Sequence, residues 1–131
     1  MKRTNVSSGS PYEDSIGFSR AVRIGNLLAV SGTAPIAPDG STAFPGDAYA
    51  QMKCCLEIIQ AAIEQAGGRL EDVIRTRIYM TDISVCEEVS RAHSEFFDKI
   101  RPAATMVVVK QLVRDDWLVE LDADCVIDPN R

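Results

Sequence analysis

The chain has 131 residues, and 14 Lys and Arg stand against 19 Asp and Glu, for a formal net charge of -5 and a sequence pI of about 4.8. At 46% hydrophobic and 25% charged residues it matches one soluble globular domain, long enough to bury roughly two thirds of its unfolded surface, which excludes disordered, collagen-like and disulfide-scaffold classes. The acidic total argues against non-specific nucleic-acid binding, which draws on Lys and Arg releasing counterions from phosphates, and no apolar run approaches the roughly 20 residues that span a bilayer.

The first fifteen or so residues, MKRTNVSSGSPYEDS, contain no apolar stretch able to act as a signal sequence and are expected to be loosely ordered. A cytoplasmic protein of one domain, residues 1–131, is the expectation. Phe18 to Gly25 and Leu27 to Ser31 are two short strand-like runs, and Gly25-Asn26 between them predicts a hairpin. Gly32 to Gly46 holds three Pro and three Gly, so it must cross the surface as a long loop, the kind of segment that often carries function.

From Asp47 to Ala66, small or apolar residues recur at Cys55, Leu56, Ile59, Ala62, Ile63 and Ala66. This is helical spacing, with Gly67-Gly68 as the stop. Val73 to Met80 alternates, placing Ile74, Ile78 and Met80 on one face of a strand and Arg75, Arg77 and Tyr79 on the other. Ser84-x-x-Glu87 fits a capping box, and Val85, Val89, Ala92, Phe96 and Ile100 continue a second helix towards Pro102. Thr105 to Leu112 and Leu118 to Ile127 read as two further strands. The order ββ-α-β-α-ββ predicts an α+β (α/β) fold with two helices on one face of a mixed sheet.

In the last strand Val119, Leu121, Ala123, Cys125 and Ile127 point one way, under the helices, and Leu118, Glu120, Asp122 and Asp124 point the other. Met106 to Val109 is apolar on both faces, a pattern normally covered from both sides. With only two helices available, a homo-oligomer is expected to cover the second face.

Chemistry-bearing groups are sparse. Cys54, Cys55, Cys86 and Cys125 show neither C-x-x-C spacing nor a Cys/His cluster, so they read as small hydrophobes and no metal site is expected. The single histidine, His93, permits no nucleophile–base–acid triad and reads as a helix-surface or core-edge residue. No phosphate-binding glycine motif is present. Asp47 and Asp72 suit caps or turns. Glu120 lies within an apolar strand, where a carboxylate must be paired, hydrogen-bonded or protonated. Two readings stay open: Arg75 and Arg77 neutralise Glu120, Asp122 and Asp124 across the sheet or between subunits, or Glu120 holds and polarises a water as general base in a boundary cleft.

Val30-Ser31-Gly32, the Asp47…Gln51 helix start, AGGRLEDVIRTRIYMTDI at 66–83, Glu95-Phe96-Phe97, Arg101-Pro102-Ala103 and VELDADCV at 119–126 resemble the RidA/YjgF family. This family is also labelled L-PSP endoribonuclease or translation-inhibitor-like. The resemblance runs from about residue 17 to 127. It implies a chorismate-mutase-like fold, a homotrimer with clefts between subunits, and hydrolysis of reactive enamines and imines such as 2-aminoacrylate to 2-oxo acids and ammonia without metal or cofactor. On that pattern Glu120 matches the water-positioning glutamate and Ser31 the cleft serine. Phe18 falls on the tyrosine position without its hydroxyl, and Thr105 and Met106 fall on the stretch whose backbone lines the cleft.

The chain departs from the pattern at Ala104, where family deaminases carry the arginine that clamps the substrate carboxylate, and at Ser90, where many members have Asn. Losing such a clamp in a desolvated site costs on the order of 2–5 kcal/mol, which puts efficient turnover of 2-aminoacrylate in question. Arg20 shares strand parity with Phe18 and is a candidate substitute cation, against the alternative of a solvated or interface-pairing arginine. Arg75, Arg77 or a changed ligand are further possibilities. The expectations are therefore an imine or enamine hydrolase acting on a small carboxylate, or a trimer that binds a small metabolite without turnover. Ribonuclease or translation-inhibitor activity follows from the family label only, and nucleic acid and membrane are not expected partners.

Overall fold

The computed structural model describes residues 1–131. The hairpin forms where Gly25-Asn26 places it: β2 (Ala21–Ile24) and β3 (Leu27–Thr33) pair antiparallel through Ile24 and Leu27, with Gly25 in the left-handed region at φ 61°. α2 (Ala48–Gln65) starts at Asp47, whose side chain accepts from the Ala50 N–H at 3.0 Å. It buries Met52, Cys55, Leu56, Ile59, Ala62 and Ile63, one stripe at helical spacing, and Gly67, at φ 91°, turns the chain out of it.

β4 (Val73–Met80) then runs back through the sheet, α3 (Cys86–Phe97) crosses over, and β5 (Ala103–Val108) pairs parallel with β4. β6 (Val119–Val126) inserts between β3 and β4, antiparallel to both. A strand from the N-terminus, β1 (Arg3–Val6), adds to β2, so the order is β1-β2-β3-β6-β4-β5. The helices α2 and α3 pack on one face, as predicted. Beneath them Val119, Leu121, Ala123, Cys125 and Ile127 are all buried in a single apolar cluster. No helix is long and apolar enough to cross a membrane.

Four local expectations need correction. The first fifteen residues are built into the fold: besides β1, a short helix α1 (Pro11–Ile16) forms. The Glu13 carboxylate accepts from the Ser8 N–H at 3.1 Å, the Ser8 hydroxyl at 2.9 Å and the Ser10 N–H at 3.3 Å. Serines in a segment expected to be loosely ordered therefore serve as donors around one buried acid.

Ile74, assigned to the apolar face, is 52% exposed, because the β4–β6 register shifts between Val73 and Arg75 and turns it outward. The Ser84–Glu87 capping box does not form. Asp82 instead accepts from the Ser84 N–H at 2.8 Å, and a 3-10 turn at Ile83–Val85 precedes α3. β5 also begins two residues before the predicted Thr105 and ends at Val108.

The face away from the helices carries the charged residues. Tyr79, Arg77 and Arg75 stand in register opposite Glu120, Asp122 and Asp124. At the sheet edge Val107 and Val108 are 41% and 49% exposed, so β5 is uncovered on both sides within one chain.

Candidate active site

The β3–β6 ladder loses regular register between Val30 and Thr33, and that irregularity carries Ser31-Gly32 past Glu120. A Cβ at position 32 would lie 2.6 Å from Glu120 Oε2. Gly32 has no positive φ, so what a side chain there would meet is the Glu120 carboxylate and not a backbone constraint.

Ser31 is fixed from both ends. Its N–H donates to the Arg20 carbonyl at 2.9 Å and its hydroxyl to the Ser19 carbonyl at 2.6 Å. Phe18 is half-buried nearby, its ring centroid 5.3 Å from the Arg20 guanidinium carbon.

Arg20 is neither a solvated arginine nor a cation on the Glu120 face. It is 4% exposed and turned to the helix side. Nη1 donates to the Gly32 carbonyl at 2.7 Å and to Thr33 Oγ1 at 3.0 Å, and Nε donates to Ser8 Oγ at 3.3 Å. Burial lowers its pKa, while the charges of Glu13 and Glu120 oppose that shift. Gly32 is thus shared, with Arg20 on its carbonyl and Glu120 against its Cα.

The acids of the open face divide into two kinds. Asp122 accepts from Arg77 at 3.0 Å and from the Tyr79 hydroxyl at 2.8 Å, and Asp124 pairs with Arg77 at 3.2 Å and Arg75 at 3.9 Å. The cross-strand neutralisation considered for all three acids therefore holds for the two aspartates. Glu120 receives neither arginine. It is half-buried, no hydrogen bond holds it, and burial pushes its carboxyl above the ordinary range, Asp122 adding to that shift and Arg20 opposing it.

Ala104, Thr105 and Met106 lie elsewhere in the chain. Ala104 and Met106, in register with Thr76 and Ile78, are on the helix side, where they line a pocket of about 290 Å³ with Ser90, His93 and Arg101. Thr105, opposite Arg77, is exposed on the open face. The strand β4 separates all three from Glu120, so one chain does not bring the two groups of predicted site residues together.

His93 is a core-edge residue. Its Nε2 lies 2.9 Å from Oγ1 of the buried Thr76, its ring packs on Phe97 at 4.7 Å between centroids, and burial lowers its pKa. All four cysteines are free, and burial pushes the Cys125 thiol up to about 12, which suits a small hydrophobe. No group of three His, Cys, Asp or Glu side chains is placed to hold a metal ion. Sequence reasoning missed Gly32 and the donors Ser8 and Thr33. The only signal for Gly32 was its place directly after Ser31.

The family described as Endoribonuclease L-PSP matches residues 12–127. A crystal structure of a Mycobacterium tuberculosis member of the YjgF/YER057c/UK114 family is 47% identical, covers 96% of this chain and 100% of its own, and superposes with a TM-score of 0.86. An uncharacterised Streptomyces coelicolor protein is 38% identical over 119 residues, 91% of this chain and 88% of its own length. A RutC family protein of Pyrococcus abyssi is 34% identical over 106 residues, 81% and 83% of the two chains.

Proposed function

The chain belongs to the RidA/YjgF family, the one described as endoribonuclease L-PSP, and from that premise we propose that it hydrolyses a small imine or enamine, with Glu120 positioning the attacking water. The observation that carries this reading is the state of Glu120: of the three acids on the open sheet face it alone is unpaired, and its pKa is raised towards that of a useful general base. An enamine first becomes the imine by gaining a proton at its β-carbon and losing one from nitrogen; water then adds across the C=N bond, oxygen to carbon and a proton to nitrogen. Glu120 takes the water's other proton and returns it to nitrogen as the C–N bond breaks, releasing ammonia and a carbonyl compound.

Ser31, Gly32 and Phe18 form the adjoining wall. We further propose a homotrimer in which the β5 edge of one subunit closes on the open face of the next. The exposure of β5 on both sides, and the separation of Thr105 and Met106 from Glu120 by a strand, support that arrangement. A soluble cytoplasmic protein is consistent with this chemistry.

Ala104 favours a second reading, a trimer that retains a small metabolite without turnover, because the arginine expected to clamp a carboxylate is absent. The experiment is ammonia release from enzymatically generated 2-aminoacrylate and from bulkier imino acids, with wild type, Glu120→Ala and Ala104→Arg. Activity that disappears in Glu120→Ala while the oligomer survives supports the hydrolase. Inert wild type with active Ala104→Arg favours the binding protein, and undiminished activity in Glu120→Ala refutes the assigned role of Glu120.

A further inference from the structure

A cavity of about 730 Å³ lies away from the Glu120 face. It is a groove between the Ser8–Pro11 segment, the long loop after β3 and the outer side of α2. Its walls are largely apolar, with Ile36 and Phe44 from the loop and Ile58 and Ala61 from α2, and its volume is that of a small-molecule site. Two charged residues line it, Arg20 and Glu57. Glu57 is exposed at the rim, whereas Arg20 is 4% exposed.

Arg20 is a buried cation without an ion-pair partner. The salt bridges of the chain belong to Arg75, Arg77 and Arg131, and Glu13 spends its carboxylate on serine donors. Nε and Nη1 are committed to Ser8, Gly32 and Thr33, but Nη2 makes no hydrogen bond. It is also not sealed in, since the one fully buried side-chain nitrogen or oxygen without a partner is Trp117 Nε1. A desolvated, unpaired guanidinium is unfavourable unless an anion meets it, and three hydrogen bonds already hold this one rigid.

We propose that the groove binds a small monocarboxylate with an apolar tail, its carboxylate on Arg20 Nη2 and its tail along Ile36, Phe44 and Ile58. A single facing cation and an opposing Glu57 select one negative charge over a dianion. Apolar walls select a hydrocarbon tail over a polyol. The site lies on the other side of Gly32 from Glu120, so it does not rest on the hydrolase reading.

The test is titration of the full-length protein with hexanoate, hexanamide and inorganic phosphate, followed by amide chemical shifts and melting temperature. Hexanoate should bind saturably, shifting Gly32, Thr33 and the Cys54–Ala61 amides, with hexanamide and phosphate weaker by roughly tenfold or more, the range of a lost charged hydrogen bond. Arg20→Gln should abolish the preference for hexanoate over hexanamide. Because Arg20 also braces Gly32, Ile58→Glu is the second variant: it leaves the Arg20 hydrogen bonds intact and should abolish hexanoate binding. Glu120→Gln should bind hexanoate as wild type does. Equal binding of hexanamide, undiminished binding in Ile58→Glu, or loss of binding in Glu120→Gln would each overturn the proposal.

Discussion

Gly32→Ala isolates the contact on which the proposed chemistry depends. The new Cβ would lie 2.6 Å from Glu120 Oε2, whereas ordinary contact begins at 3.4 Å, so the carboxylate must retreat by about 0.8 Å. The atom that moves ends a flexible side chain, and the backbone at position 32 has no positive φ. Stability should therefore change by less than ~1 kcal/mol, the usual gain from replacing glycine offsetting the crowding. Catalysis should suffer far more, because a displacement near 1 Å lowers a rate by about 100-fold when geometry sets the barrier. The assay pairs initial rates of ammonia release with urea unfolding of the same preparation. A cooperative transition close to wild type with a rate down by about two orders of magnitude is the expected result. A folded Gly32→Ala protein that turns over at the wild-type rate would show that the placement of Glu120 against Gly32 has no catalytic consequence.

Three further outcomes follow from the buried and paired groups. The Glu120 pKa is raised above 4.5, so stability it contributes below its unfolded value is lost as pH rises through the folded one. Glu120→Gln should accordingly raise the urea midpoint at neutral pH, and the acid limb of the wild-type rate profile should lie above 4.5. His93 has its pKa lowered from 6.5, so the native state favours the neutral ring and stability declines as pH falls below that value. His93→Gln should flatten the decline between neutrality and the folded pKa, and Thr76→Val, which removes the hydroxyl 2.9 Å from the ring, should destabilise by about 1 kcal/mol. Asp72 accepts from Arg131 at 2.7 Å and from the Arg69 N–H at 2.8 Å, and Arg131 chiefly holds its carboxyl below 3.8. That stabilisation is present above 3.8 and is lost as pH falls through the lower folded value, so Asp72→Asn should unfold more readily at neutral pH and show less additional loss in acid.

The helices and central strands were legible because hydrophobic periodicity needs no knowledge of neighbours. Cys55, Leu56, Ile59, Ala62 and Ile63 mark one side of a helix in any fold that buries it, and the alternation from Val119 to Ile127 marks one side of a strand. The misreadings share a cause. Ile74 has the right parity for burial, but a bulge is a mismatch between two strands and cannot be read from one. Ser8 and Ser10 stand in a segment that reads as loosely ordered, and only the presence of Glu13 among them makes them structural. Ser84 and Glu87 have the spacing of a cap, yet Asp82 took the role because the chain enters α3 through a 3-10 turn.

For function the same division holds. The sequence by itself determined the family pattern, the carboxylate in an apolar strand and the loss of the arginine at Ala104, since these are matters of residue type at a position. Only the tertiary structure decided which acid is free and which way the spare cation points. Arg77 reaches Asp122 and Asp124 but not Glu120 because cross-strand register sets which charges meet. Arg20 turns beneath the helices because Ser8, Gly32 and Thr33, distant in sequence, offer its guanidinium hydrogen bonds there. Partners that far apart along the chain meet only when it folds, and the chemistry of a site is set by those meetings.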